Sequence, residues 1–127
     1  MIETALVIAP EWVAKILAGE KTWEIRSRPN ARVGRIALAE KGGPLVATCT
    51  IEKSIPIRAE EFAMYFPKHR VKPEDLWNFY GDRDVFAWPL SDVRRLDPPI
   101  EYQHPGGGSW VKLSPAILTK LDRFHTG

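Results

Sequence analysis

A chain of 127 residues and 14.4 kDa has the size of one domain, here read as residues 1–127, with a modest core. Hydrophobic residues at 44% and charged residues at 27% are the ordinary balance of a soluble globular protein, and no repeat, linker or low-complexity tract interrupts it. A net charge of +2 and a pI near 8.8 permit a nucleic-acid partner without requiring one.

The chain opens on an apolar run, residues 5–9, too short for a signal peptide or a membrane span. Residues 4–9 read as a short buried strand. Pro10 suits the first turn of a helix and Glu11 complements its N-terminus. Trp12, Val13, Ile16 and Leu17 then recur at helical spacing as one apolar face. Gly19, lacking a Cβ, can take the left-handed conformation that closes the helix. Residues 21–27 predict a strand, with Trp23, Ile25 and Ser27 on one face and Thr22, Glu24, Arg26 and Arg28 on the other. Pro29 stops it.

After a turn, residues 34–41 predict a second strand, with Ile36 and Leu38 on one face and Arg35, Ala37 and Ala39 on the other. Gly42-Gly43-Pro44 signals a hairpin. Residues 45–57, rich in β-branched side chains, read as one long strand whose far end lies at an edge because of Pro56. Three consecutive strands on short turns favour an antiparallel meander able to curl into a small barrel. Residues 59–66 space Phe62, Met64, Tyr65 and Phe66 as part of a helix, and 67–73 read as a basic loop. Pro73 to Gly81 bound a short helix. Residues 84–96 return to strand character, with a break or bulge at Pro89. Pro98-Pro99 and His104 to Gly108 frame a long loop, then 110–113 form a last strand and 115–124 a helix with Ile117, Leu118 and Leu121 as its stripe. Strands with helices gathered at one side make the fold α+β, built on a strongly curved sheet.

Charge is concentrated. Residues 21–35 hold five cations (Lys21, Arg26, Arg28, Arg32, Arg35) and one anion, Glu24, for a local +4 against −2 over the rest. Such a segment is either a solvated strand face or a patch for an anionic partner. Aromatic residues lie among the cations: Trp23 within the basic strand, and Tyr65, Phe66, Trp77 and Tyr80 around Lys68, His69, Arg70 and Lys72. Cations that follow phosphates beside rings that stack on bases hold single-stranded nucleic acid; the plain alternative is that the rings fill the core. Glu24, between Lys21 and Arg26, remains ionised and either accepts hydrogen bonds from a ligand's exocyclic amine or forms a structural ion pair.

Other chemistries find little footing. The three histidines and the one cysteine lack metal-ligand spacing, so no metal and no cofactor are expected. Gly106 to Gly108 lack the Lys-Ser/Thr of a phosphate loop and read as a hairpin tip, although their N–H groups could approach a ligand. Ser109 has no nucleophile-elbow context. Cys49, between threonines, is a small buried filler; with no disulfide to form it fits a reducing cytoplasm.

G-E-K-T-W-E-I-R (Gly19 to Arg26), after an apolar strand and a helix from Pro10, resembles the G-x-K-x-x-E-x-R signature of the ASCH domain family. The likeness extends to G-R-I-A-L (Gly34 to Leu38), F-A-W (Phe86 to Trp88), and P-I-E-Y with G-G-S-W near the end. The resemblance implies a PUA-like small curved β-barrel with flanking helices, and a cleft where Lys21, Glu24 and Arg26 meet. It implies a partner, RNA or a modified nucleobase, with no membrane role. Lys21, Thr22, Trp23, Glu24, Arg26 and Ser27 would meet it, with Arg28 and Lys53 as phosphate contacts. Bacterial acetylcytidine amidohydrolases are similar in the motif, but use a threonine nucleophile where this chain has Glu24. A hydrolase acting on RNA or acylated nucleosides, with Lys21 as base and Glu24 positioning the substrate, is the alternative; a protein-interaction module of a transcription coregulator is a third.

Overall fold

The computed structural model describes residues 2–81 and 83–126, of which 78, 79 and 124–126 are described by backbone alone. Seven strands are β1 (Thr4–Ile8), β2 (Trp23–Arg26), β3 (Gly34–Glu40), β4 (Leu45–Ile51), β5 (Ile55–Ile57), β6 (Val85–Ile100) and β7 (Trp110–Lys112). The helices are α1 (Pro10–Leu17), α2 (Phe66–His69), α3 (Pro73–Tyr80) and α4 (Pro115–Thr126), with a 3₁₀ helix at Ala59–Tyr65. The strands form one curled half-barrel sheet in the order β2-β6-β4-β3-β1-β7, with β5 off this path and paired to β6 on the edge opposite β2. β1 runs parallel to β3; the remaining pairs are antiparallel. The fold is α+β on one strongly curved sheet, as expected.

β6 organises the sheet. Its first residues pair with β2 (Trp23↔Pro89 to Arg26↔Phe86) and with β5 (Ile55↔Ala87), and from Leu90 onward it pairs with β4. Pro89 sits at that handover, where a residue without an N–H costs the ladder least. Its carbonyl still accepts from the Glu52 N–H at 3.0 Å. The strand expected over 84–96 therefore runs on through Pro98 and Pro99, which were expected in a loop.

The meander is the main correction. β2 does not pair with β3, because both edges of β3 are taken, by β4 and by β1. β2 instead crosses to β6, where Trp23 and Ile25 are buried with Ile57, Phe62, Leu76 and Val85. Residues 45–57 are likewise two strands. The exposed Glu52 and Lys53 break them, and the halves pair with different parts of β6. Pro56 does lie on a strand with a single neighbour. The helix expected over 59–66 is a 3₁₀ helix, and the basic loop contains α2, closed by Arg70 at φ 61°.

Two further clusters sit on the two sides of the sheet. Strand alternation sends Ile36 and Leu38 toward Val13 and Ile16 of α1, and Ala37 and Ala39 toward Ile117 and Leu121 of α4. Small residues on the α4 side let that helix lie close. No helix among the described residues is long and apolar enough to cross a membrane.

Candidate functional site

The site begins where α1 ends. The Gly19 N–H bonds Ile16 O at 3.1 Å and Gly19 takes φ +78°, the left-handed value expected of a closing glycine. The N–H groups of Glu20 and Lys21 both return to Lys15 O, at 2.9 and 3.2 Å. This tight turn sends the Lys21 side chain inward, where it is 1% exposed. Its Nζ donates to His69 O at 2.6 Å, stands 3.7 Å from Glu24 Oε1, and lies 4.6 Å from the centre of the Trp12 ring. Burial lowers the ammonium pKa from 10.5 to about 8, against the pull of the Glu24 carboxylate.

His69 is the other half of this arrangement. It is fully buried and stacked 3.9 Å from Phe62. Its Nδ1 accepts the Val71 N–H at 2.9 Å, which assigns the hydrogen to Nε2, facing Phe62 O at 2.8 Å. Burial holds its pKa below the ordinary 6.5. A neutral ring therefore fixes α2, and α2 offers its last carbonyl to Lys21. The Thr22 N–H adds a bond to Lys68 O at 2.9 Å.

On the outer side, Glu24 Oε2 accepts from Arg26 Nε at 3.1 Å and Nη2 at 2.9 Å. Arg26 Nη1 donates to Ser109 Oγ at 2.6 Å, and Nη2 donates also to Val7 O at 3.0 Å. β2 stands at one end of the sheet order, while Val7 and Ser109 belong to β1 and to the approach to β7 at the other end. The guanidinium thus ties the two ends of the half-barrel together. It lies 5.4 Å from the centre of the Trp88 ring, which stacks on Trp110 at 5.9 Å.

Two members of the trio each line a hollow. Arg26 lines one of about 810 Å³ with Val7, Lys41, His104, Ser109 and the loop Gly106 to Gly108. Gly106 and Gly107 have φ +89° and +75°, and a Cβ on either would meet nothing within 4 Å, so conformation, not crowding, requires glycine there. Lys21 lines the other, of about 280 Å³, with Gly19, Thr22, Ser91, Asp92 and Arg95. Among the described residues no group of three or more His, Cys, Asp or Glu side chains could hold a metal ion.

A family model for the ASCH domain matches residues 6–100. This chain belongs to the ASCH domain family. Among solved structures the ASCH protein of Zymomonas mobilis is similar at 20% identity and TM-score 0.74, covering 95% of this chain and 94% of that one. Two substituted forms of that protein give TM-scores of 0.73 at 20% and 21% identity, covering 96% and 95% of this chain and 95% and 96% of theirs. At such identity the likeness is one of fold. No curated protein matches significantly.

In this ASCH domain the structure brings Lys21, Glu24 and Arg26 together, with Lys21 and Glu24 buried and Arg26 facing the larger hollow. Thr22 is exposed at the smaller one. Trp23 is buried, 5.0 Å from the Tyr65 ring and beneath Lys68 Nζ at 5.2 Å. Ser27 and Arg28 are exposed just past β2, and Lys53 is exposed between β4 and β5. Sequence reasoning missed His69 as the anchor of Lys21, and Ser109, Val7 and Trp88 around Arg26. His69 looked like one more cation of a basic loop, and the bond to Val7 uses a backbone carbonyl, which no side-chain pattern reveals.

Proposed function

We propose that this ASCH domain binds RNA, taking a nucleotide into the hollow beside Arg26. The observation that carries the reading is the character of that hollow: Arg26, Lys41 and His104 line it, a glycine loop forms part of its wall, and among the described residues no acidic side chain lines it. A guanidinium held from behind by Glu24 and at its side by Ser109 is already oriented, so little freedom is lost when it meets a phosphate or a base carbonyl. Ser109 accepts from Arg26 and keeps its own hydroxyl hydrogen to donate. The loop N–H groups of Gly107 and Gly108 can approach closely because no side chain stands in the way. Lys21, one wall behind, fixes the motif from within. A lone cysteine, buried at Cys49, suits action in a reducing cytoplasm.

Titration of fluorescently labelled single-stranded RNA, read by anisotropy at two salt concentrations, tests the reading. Lys41→Glu should weaken binding at least about fivefold near 0.1 M salt, the worth of one lost phosphate contact, and flatten the salt dependence. Equal affinity and equal salt slope for both proteins would refute it. Shortened RNA products after prolonged incubation would move the reading toward a hydrolase.

A further inference from the structure

Past β2 the chain carries Arg28 and Arg32 on the loop before β3, and Lys53 lies on the turn between β4 and β5. These two loops are clamped together through Asn30. The Asn30 N–H donates to Ser54 Oγ at 3.3 Å, the Ser54 N–H returns to Asn30 Oδ1 at 3.1 Å, and Asn30 Nδ2 donates to Glu52 O at 2.6 Å. With about 3.8 Å between successive Cα atoms, Arg28 and Arg32 both lie within about 8 Å of the clamp, and Lys53 adjoins it. All three are exposed, and among the described residues none of their side chains is in an ion pair. Some other surface cations are paired: Arg58 with Glu60 and Glu61, Arg35 and Arg94 with Asp92, Lys15 with Glu20. Against the three cations this ridge carries one carboxylate, Glu52.

The ridge joins the hollow through one side chain. Arg26 packs over the Trp88 ring, and Trp88 Nε1 donates to Arg28 O at 2.9 Å. The rigid ring thus positions Arg28 relative to the guanidinium of Arg26. Unpaired cations on braced loops, the nearest of them two residues past Arg26, complement a chain of negative charges, not an isolated one.

We propose that the ligand is a single-stranded oligonucleotide, and that its sugar–phosphate backbone leaves the hollow along Arg28, Arg32 and Lys53. The proposal rests on the RNA reading of the hollow and adds the direction and the length of the strand. Three phosphates neutralised at about 0.7 counterions each are worth about 100-fold in affinity at about 0.1 M salt. An oligouridylate of about 12 nucleotides should therefore bind about 100-fold more tightly than uridine 5′-monophosphate. In the variant Arg28→Ala/Arg32→Ala/Lys53→Ala, whose sites are exposed and outside the core, that length advantage should fall below about tenfold. The salt slope for the oligomer should drop by about 2. A length advantage equal in the two proteins, or a mononucleotide that binds wild type as tightly as the oligomer, overturns the ridge while leaving the hollow reading intact. Failure of both ligands to bind wild type overturns the hollow reading and the ridge with it.

Discussion

Replacing Lys21 by Met keeps nearly the length of the side chain and removes its charge, so the pair isolates the cost of a buried ammonium. Burial holds the pKa of this group down, from 10.5 to about 8, even with Glu24 beside it. Between those two values the unfolded chain carries a proton on Lys21 that the folded chain has lost. Stability follows the excess of protons bound by the unfolded state, so the contribution rises with pH across this window and is flat below about pH 8. At about 1.4 kcal/mol per pH unit the whole rise amounts to about 3 kcal/mol. The side chain is 1% exposed, so solvent does not screen it. A wild-type curve alone does not isolate the effect. Burial pushes the Cys49 thiol from 9.0 up to about 12 and raises Tyr80 as well. Those acids stay protonated longer in the folded chain and lose stability as pH rises. They are shared by Lys21→Met and cancel in the difference. Urea unfolding followed by far-UV circular dichroism should show wild type gaining about 3 kcal/mol on the variant between pH 8 and pH 10.5. A difference that stays constant over that range would refute the reasoning.

Three more expectations follow from the same geometry. The unfolded chain takes up a proton on His69 below about pH 6.5 that the buried ring resists, and charging it would remove the acceptor of the Val71 N–H. Wild type should lose stability below that pH more steeply than His69→Gln; parallel unfolding curves for the two would contradict it. Cys49, fully buried with its thiol pushed up to about 12, should react with a disulfide reagent at pH 8 only as fast as the protein unfolds, and rapid labelling of the native chain would show the thiol to be open. Arg26→Lys keeps the charge but not the fork that reaches Glu24, Ser109 and Val7 together, and should cost about 1–3 kcal/mol. It should also speed amide exchange at Val7, whose N–H bonds Ser109 O at 2.8 Å; unchanged exchange there would mean the half-barrel does not depend on this closure.

Local features were legible in the sequence because local physics decides them. Pro10 and the Trp12-Val13-Ile16-Leu17 spacing predicted α1, Gly19 ended it, and Gly42-Gly43-Pro44 joined β3 to β4. The alternation of Ile36 and Leu38 with Ala37 and Ala39 assigned both faces of β3 correctly. Strand partnership was not legible. The pairing of Trp23 with Pro89 joins positions far apart in the chain, and nothing near Trp23 says that β3 already has two neighbours. Pro98 and Pro99 read as loop because the partner that makes them strand, the Leu45 end of β4, is equally remote. At the site, the alternation of β2 placed Glu24 and Arg26 on one face, but Lys21 joins them from outside the strand, through the turn after α1. His69 was hidden in its neighbours' charge: Lys68 and Arg70 face outward, and only the packing of Phe62 turns the residue between them inward.

The handover at Pro89 bears on how the chain is made. A strand that serves two sets of neighbours is also a late arrival, for β2 has been synthesised some sixty residues before Phe86 to Pro89 emerge to cover it. At roughly 5–20 residues per second, the delay is on the order of 3–12 s. Throughout that interval the nascent polypeptide holds Trp23 and Ile25 without the strand that shelters them, and the Arg26 guanidinium waits longer still, until Ser109 leaves the ribosome.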